Sequence, residues 1–104
     1  MQLTPAQIGM RFLLGISLPM GSSSNWTMAQ RIRHGREQLA RITGQDFGYD
    51  ALRWHEHLWA TDAGGYKWSR RSPDKWMRHV RAGMARPGWA QAVRELEADD
   101  QSRA

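Results

Sequence analysis

The sequence predicts an all-α fold, a single small domain of four to five short helices joined by Gly-, Pro- and Ser-rich turns. Three observations predict it. Apolar residues recur at helical spacing in separate segments, helix-start chemistry stands ahead of several of them, and Pro/Gly clusters punctuate the gaps. The 104 residues fit one domain able to bury a core without staples, and six Trp argue for packing over disorder. The chain contains no Cys, which removes disulfides, thiolate metal sites, iron–sulfur ligation and cysteine nucleophiles. No apolar run approaches the roughly 18–20 residues that a membrane span needs, so no membrane association is expected.

The first element runs from Leu3 to about Leu14. Thr4 is placed to cap it, Pro5 takes the first helical position, and Gln7 completes a capping box. Leu3 and Ile8 occupy the flanking staple positions. The run from Phe12 to Leu18 is also readable as the core of an export signal within residues 1–24. Its charge lies deep and its small-residue cleavage pattern is poor, so a buried helix and a cytoplasmic location are expected. Pro19 to Ser24 reads as a loop.

From about Asn25 to Ile42 the period is helical. Met28, Ile32, Leu39 and Ile42 fall within about 80° of arc, with Arg31, Arg33, Arg36, Glu37 and Arg41 outside it. Gly35 sits inside the apolar arc, where a missing side chain invites another element to approach, at a propensity cost of about 1 kcal/mol. Gly44 is placed to end the helix. Residues 43–50 then make a compact turn with Phe47 and Tyr49 as its apolar interior. Asp50 caps the third helix, with Tyr49 and Trp54 as its staple pair and Leu58 continuing the stripe.

The segment ARITGQDFGYDALRWHEHLW, residues 40–59, resembles a TGxDFGxDxxxWxxWL-type segment. That pattern is associated with the ends of HEAT-like helical-repeat domains and with small bacterial helical proteins. Thr43, Gly44, Asp46, Phe47, Gly48, Asp50 and Trp54 match it, whereas His57-Leu58-Trp59 departs from the expected Trp pair and leucine. The resemblance covers about a fifth of the chain and implies a helix–turn–helix corner, with no activity and no catalytic residues. One such segment does not make a repeat array.

Thr61 to Arg71 reads as a second loop, with Tyr66 and Trp68 alternating as in a very short strand that cannot form a sheet alone. Ser72-Pro73-Asp74 starts a fourth helix, to about Ala85. Trp76, Met77, Val80 and Met84 share one face, and Lys75, Arg78, His79 and Arg86 the other. Pro87-Gly88 breaks the chain, and Trp89 to about Ala98 makes a last helix with Trp89, Val93 and Leu96 inward. The domain is thus expected over residues 1–98, followed by a frayed acidic tail at 99–104.

Chemistry-bearing patterns are few. His55 and His57 are two residues apart, about 200° around a helix, and cannot chelate one ion together as an i, i+4 pair does. They read as surface histidines, and no metal or cofactor is expected. Asp46, Asp50 and Glu56 are the only candidates for paired carboxylates, and capping or turn bonding accounts for the two aspartates. Ser22–Ser24 lack the context of a nucleophile elbow, and Gly64-Gly65 is a hinge without a phosphate-loop pattern. No catalytic residue is assigned.

The charge pattern carries more. The net +5 of the chain is concentrated in residues 59–88, where Lys67, Arg70, Arg71, Lys75, Arg78, Arg81 and Arg86 oppose Asp62 and Asp74. Thirteen of the fifteen basic residues are Arg, which suits bidentate contacts, although a GC-rich coding sequence gives the same bias. Tyr66, Lys67, Trp68, Arg70, Arg71, Lys75, Arg78 and Arg86 form the candidate partner-binding set. The expected function is non-catalytic docking of a protein with an acidic surface, as an immunity, inhibitor or accessory protein does. The alternative is nucleic-acid binding, with the same cations on phosphates and the aromatics as stacking rings. The expected core is Phe12, Met28, Ile32, Leu39, Ile42, Phe47, Trp54, Leu58, Trp76, Val80, Trp89, Val93 and Leu96.

Overall fold

A computed structural model describes residues 3–17, 25–67 and 73–102. Five helices follow one another: α1 (Pro5–Leu13), α2 (Met28–Thr43), α3 (Ala51–Thr61), α4 (Pro73–Met84) and α5 (Trp89–Ser102), with a 3-10 turn at Ala63–Gly65. There is no strand among the described residues, so the fold is all-α. Trp68, half of the short strand the alternation suggested, lies outside them, as does Ser72, the expected cap of α4. No helix among the described residues is long and apolar enough to cross a membrane.

The helix starts follow local chemistry. Thr4 Oγ1 accepts from the Gln7 N–H at 3.4 Å while Gln7 Oε1 accepts from the Thr4 N–H at 3.1 Å, completing the capping box. Asp50 accepts from the Arg53 N–H at 3.2 Å and starts α3. α2 begins at Met28, three residues later than its apolar period suggests, because a second box, Thr27 with Gln30, satisfies its first amides there. Gly44 closes α2 in the left-handed conformation, φ 71°, where a Cβ would be strained.

α1 packs on α2 over the most extensive contact in the molecule. Its centre is Gly35, where a Cβ would lie 2.2 Å from the Leu13 nitrogen and 2.6 Å from the Gly9 carbonyl oxygen. The two backbones therefore touch, as the glycine inside the apolar arc suggested. Arg31 reinforces the contact by donating to the carbonyls of Gly15, at 2.9 Å, and Trp26. α3 rests on α4, and α5 closes over α2 and α4. The Trp89 indole donates to the Leu13 carbonyl at 3.0 Å, which pins the start of α5 onto the end of α1.

Ten of the expected core residues are buried, and Met28, Ile42 and Phe47 are half-buried at its edge. Met10, Leu13, Leu14, Tyr49, His55 and Tyr66 are also buried. α5 continues to Ser102, so the tail expected from residue 99 is helix at least that far. The reason is tertiary: Asp99 and Asp100 are held by α2, whereas a solvated acidic end would fray.

Candidate functional site

Each helix sorts its charges by what lies across from it. Arg33 and Arg36, one turn apart on α2, face the end of α5. Arg33 reaches Asp99 at 2.7 Å and Asp100 at 3.7 Å; Arg36 reaches Asp100 at 2.8 Å and holds Asp46 through a two-pronged contact, both bonds 3.0 Å. Tyr49 completes the cluster: its hydroxyl donates to Asp100 at 2.9 Å, and the Arg36 guanidinium lies 4.6 Å from its ring centre. The Arg36 hydrogen bonds hold the Asp46 carboxyl below its ordinary value, against the opposing effect of burial. Those same bonds push the Arg36 guanidinium further above its own value.

α4 is different. Trp76, Val80 and Gly83 point inward, and Lys75, Arg78 and Arg81 are exposed, with Arg86 exposed in the turn that follows. Arg78, Arg81 and Arg86 join none of the four ion pairs among the described residues. Lys67 is exposed at the end of the 3-10 turn, its N–H accepted by Asp62 at 2.7 Å and its ammonium 5.2 Å from the centre of the Trp59 ring. The structure thus places Lys67, Lys75, Arg78 and Arg86 at the surface, and adds Arg81, which belonged to the charge count without being assigned to the face. Trp68, Arg70 and Arg71 lie outside the described residues.

Tyr66 is not a surface ring. It is fully buried, stacked on Trp76 with ring centres 4.8 Å apart, and its carbonyl accepts from the Gln7 side chain at 3.3 Å. Its hydroxyl lies 2.7 Å from Nδ1 of His55, which is 4% exposed and so is no surface histidine either. The turn after α3 folds Tyr66 back under α4, a long-range placement that no local period reveals. Burial pushes the Tyr66 phenol well above its ordinary range and pulls the His55 imidazole down, with a smaller opposing effect from Glu56. His57 instead packs against Phe47, ring centres 5.0 Å apart. Among the described residues no three His, Cys, Asp or Glu side chains come together as metal ligands.

Asp46 and Asp50 are occupied by Arg36 and by the α3 cap, and Glu56 is exposed on α3. Arg78 and Arg81 on α4, with Arg86 after it, form a cationic surface that can meet carboxylates or phosphates. Set against known proteins, the chain matches no family model, no curated protein and no solved structure.

Proposed function

We propose that this chain is a non-catalytic binding protein, of the immunity, inhibitor or accessory type and acting in the cytoplasm, that docks a protein partner bearing an acidic surface. One observation carries the reading: Arg33 and Arg36 are paired with carboxylates where α2 meets the end of α5, while Arg78, Arg81 and Arg86 are exposed with no ion pair among the described residues. Unpaired arginines on α4 and in the turn after it raise the local potential and steer an acidic partner, with Lys67 and Lys75 also at the surface. Nucleic acid would meet the same cations. The burial of Tyr66 takes one expected stacking ring out of that reading and leaves the cations as its support.

Tagged chain is used to recover partners from source cells, with and without nuclease, and the combined Arg78→Glu, Arg81→Glu and Arg86→Glu variant is run beside it. One stoichiometric protein that survives nuclease and is lost from the variant, with unchanged helicity, is the expected result. Recovery of nucleic acid that disappears with nuclease, or undiminished capture by the variant, overturns the reading.

A further inference from the structure

The turn at residues 47–50 and α5 leave an open groove of about 520 Å³ between them, floored by Phe47, Trp89 and Val93. Four charged groups line it, Asp50, Glu97 and Asp100 against Arg36. Asp100 and Arg36 hold each other at 2.8 Å. Asp50 gives one oxygen to the α3 cap and joins no ion pair among the described residues. Glu97, exposed on α5, has neither hydrogen bond nor ion pair among them. The excess charge is therefore negative and lies over an aromatic floor. That combination suits an arginine, whose guanidinium stacks on a ring while it bonds a carboxylate. Guanidinium groups already stand on the rings of this corner. Arg36, bound to Asp46 by two bonds, lies 4.6 Å from the Tyr49 ring centre, and Arg53 lies 4.7 Å from that of Phe47.

The complementary half of such a contact is on the same chain. Arg78, Arg81 and Arg86 are exposed, and since neither they nor Asp50 and Glu97 join an ion pair, the two sets do not meet within one molecule. Arg78 and Arg81, three residues apart on α4, are neighbours on the helix surface and can address two carboxylates together. Residues 89–104 carry four carboxylates against two arginines, the opposite sign to the segment that holds α4. We propose that this groove docks a second copy of the chain, which sets the arginines of α4 and the turn after it against Asp50 and Glu97. The contact joins two different surfaces, so a bound pair still presents one free groove and one free set of arginines, and the assembly grows head to tail. The net +5 of the whole chain repels the copies, which makes the contact weak and reversible. The inference goes beyond the acidic-partner reading: a partner and a second copy compete for the same arginines.

The test is sedimentation of the purified full chain from about 10 µM to about 1 mM, a range in which weak contacts fill. A mass that rises with concentration is expected, with amide NMR shifts that follow it at residues 47–50, around Glu97 and on α4. Glu97→Lys, and separately the combined Arg78→Gln, Arg81→Gln and Arg86→Gln variant, are each expected to weaken self-association by about tenfold or more with unchanged helicity. Mixing the two variants restores one complete contact, because one keeps its arginines and the other its groove. A 1:1 complex that grows no further is expected, and its formation shows that both variants are folded. No partner is present, so a parent chain that stays monomeric throughout overturns this proposal and leaves the acidic-partner reading to its own test. Shifts confined to other surfaces, undiminished association of either variant, or a mixture that does not associate overturns it too.

Discussion

Gly35 and His55 are single residues whose neighbours set their cost of change. A methyl group at Gly35 has no room, because the Leu13 nitrogen and the Gly9 oxygen are backbone atoms that move only if α1 moves. Gly35→Ala therefore combines a helix-propensity gain of about 1 kcal/mol with overpacking of about 3 kcal/mol or more. A net loss of about 2 kcal/mol is expected, read as a lower urea midpoint; an unchanged midpoint would mean that α1 is free to lift away. His55 makes stability depend on pH. Its folded pKa lies below the ordinary 6.5, so its contribution is whole above that pH. It is lost as pH falls from 6.5 through the folded value, because the unfolded chain takes up a proton that the buried ring resists. Asp46 adds a second loss, below its ordinary 3.8, because its folded pKa is depressed and the carboxylate beside Arg36 must then be protonated. Urea midpoints across a pH series are expected to show both losses; a flat profile between 6.5 and 5 would sink the account of His55. The role of Gly35 was legible in the sequence because helical period alone puts it on the buried face. His55 was not, since its burial depends on Tyr66 arriving from a loop eleven residues away.

Helix ends show the same division at the scale of elements. Thr4 with Gln7, and Asp50, are local patterns, and the structure starts α1 and α3 where they stand. The start of α2 was misplaced because a helical period marks no boundary by itself, and the Thr27–Gln30 box decides it. The end of α5 was misplaced for a tertiary reason. Asp99 and Asp100 look like a solvated terminus until Arg33 and Arg36, more than sixty residues earlier, are brought opposite them. Exposed ion pairs contribute little singly, but Asp100 also receives the Tyr49 hydroxyl, so the cluster acts as a network. The double change Asp99→Asn and Asp100→Asn is expected to cost about 1–2 kcal/mol and to speed amide exchange in the last turn of α5. A frayed tail would show neither effect, so equal stability and equal exchange would argue against the clamp.

For the whole molecule, the fold class and most of the core were legible in composition, period and punctuation, because they depend on patterns repeated along the chain. Which cations remain available was legible only in part. Segment totals located the positive balance near α4, but the pairing of Arg33 and Arg36 is a fact of three-dimensional proximity. An acidic partner is accordingly expected to associate more slowly with the triple Arg→Glu variant, and the parent's association rate to fall as salt is raised. Stopped-flow rates that ignore both changes would place the docking face elsewhere. The two capping boxes bear on how the molecule comes apart. The hydrogen bonds that start α1 and α2 and join them come from threonine, glutamine and arginine groups, which keep their charge state in acid. The groups with lowered pKa values, His55 and Asp46, stand in α3 and in the turn ahead of it. Acid therefore acts first on α3 and on the turn that leads into it, while the hydrogen bonds that join α1 to α2 contain no group that titrates there.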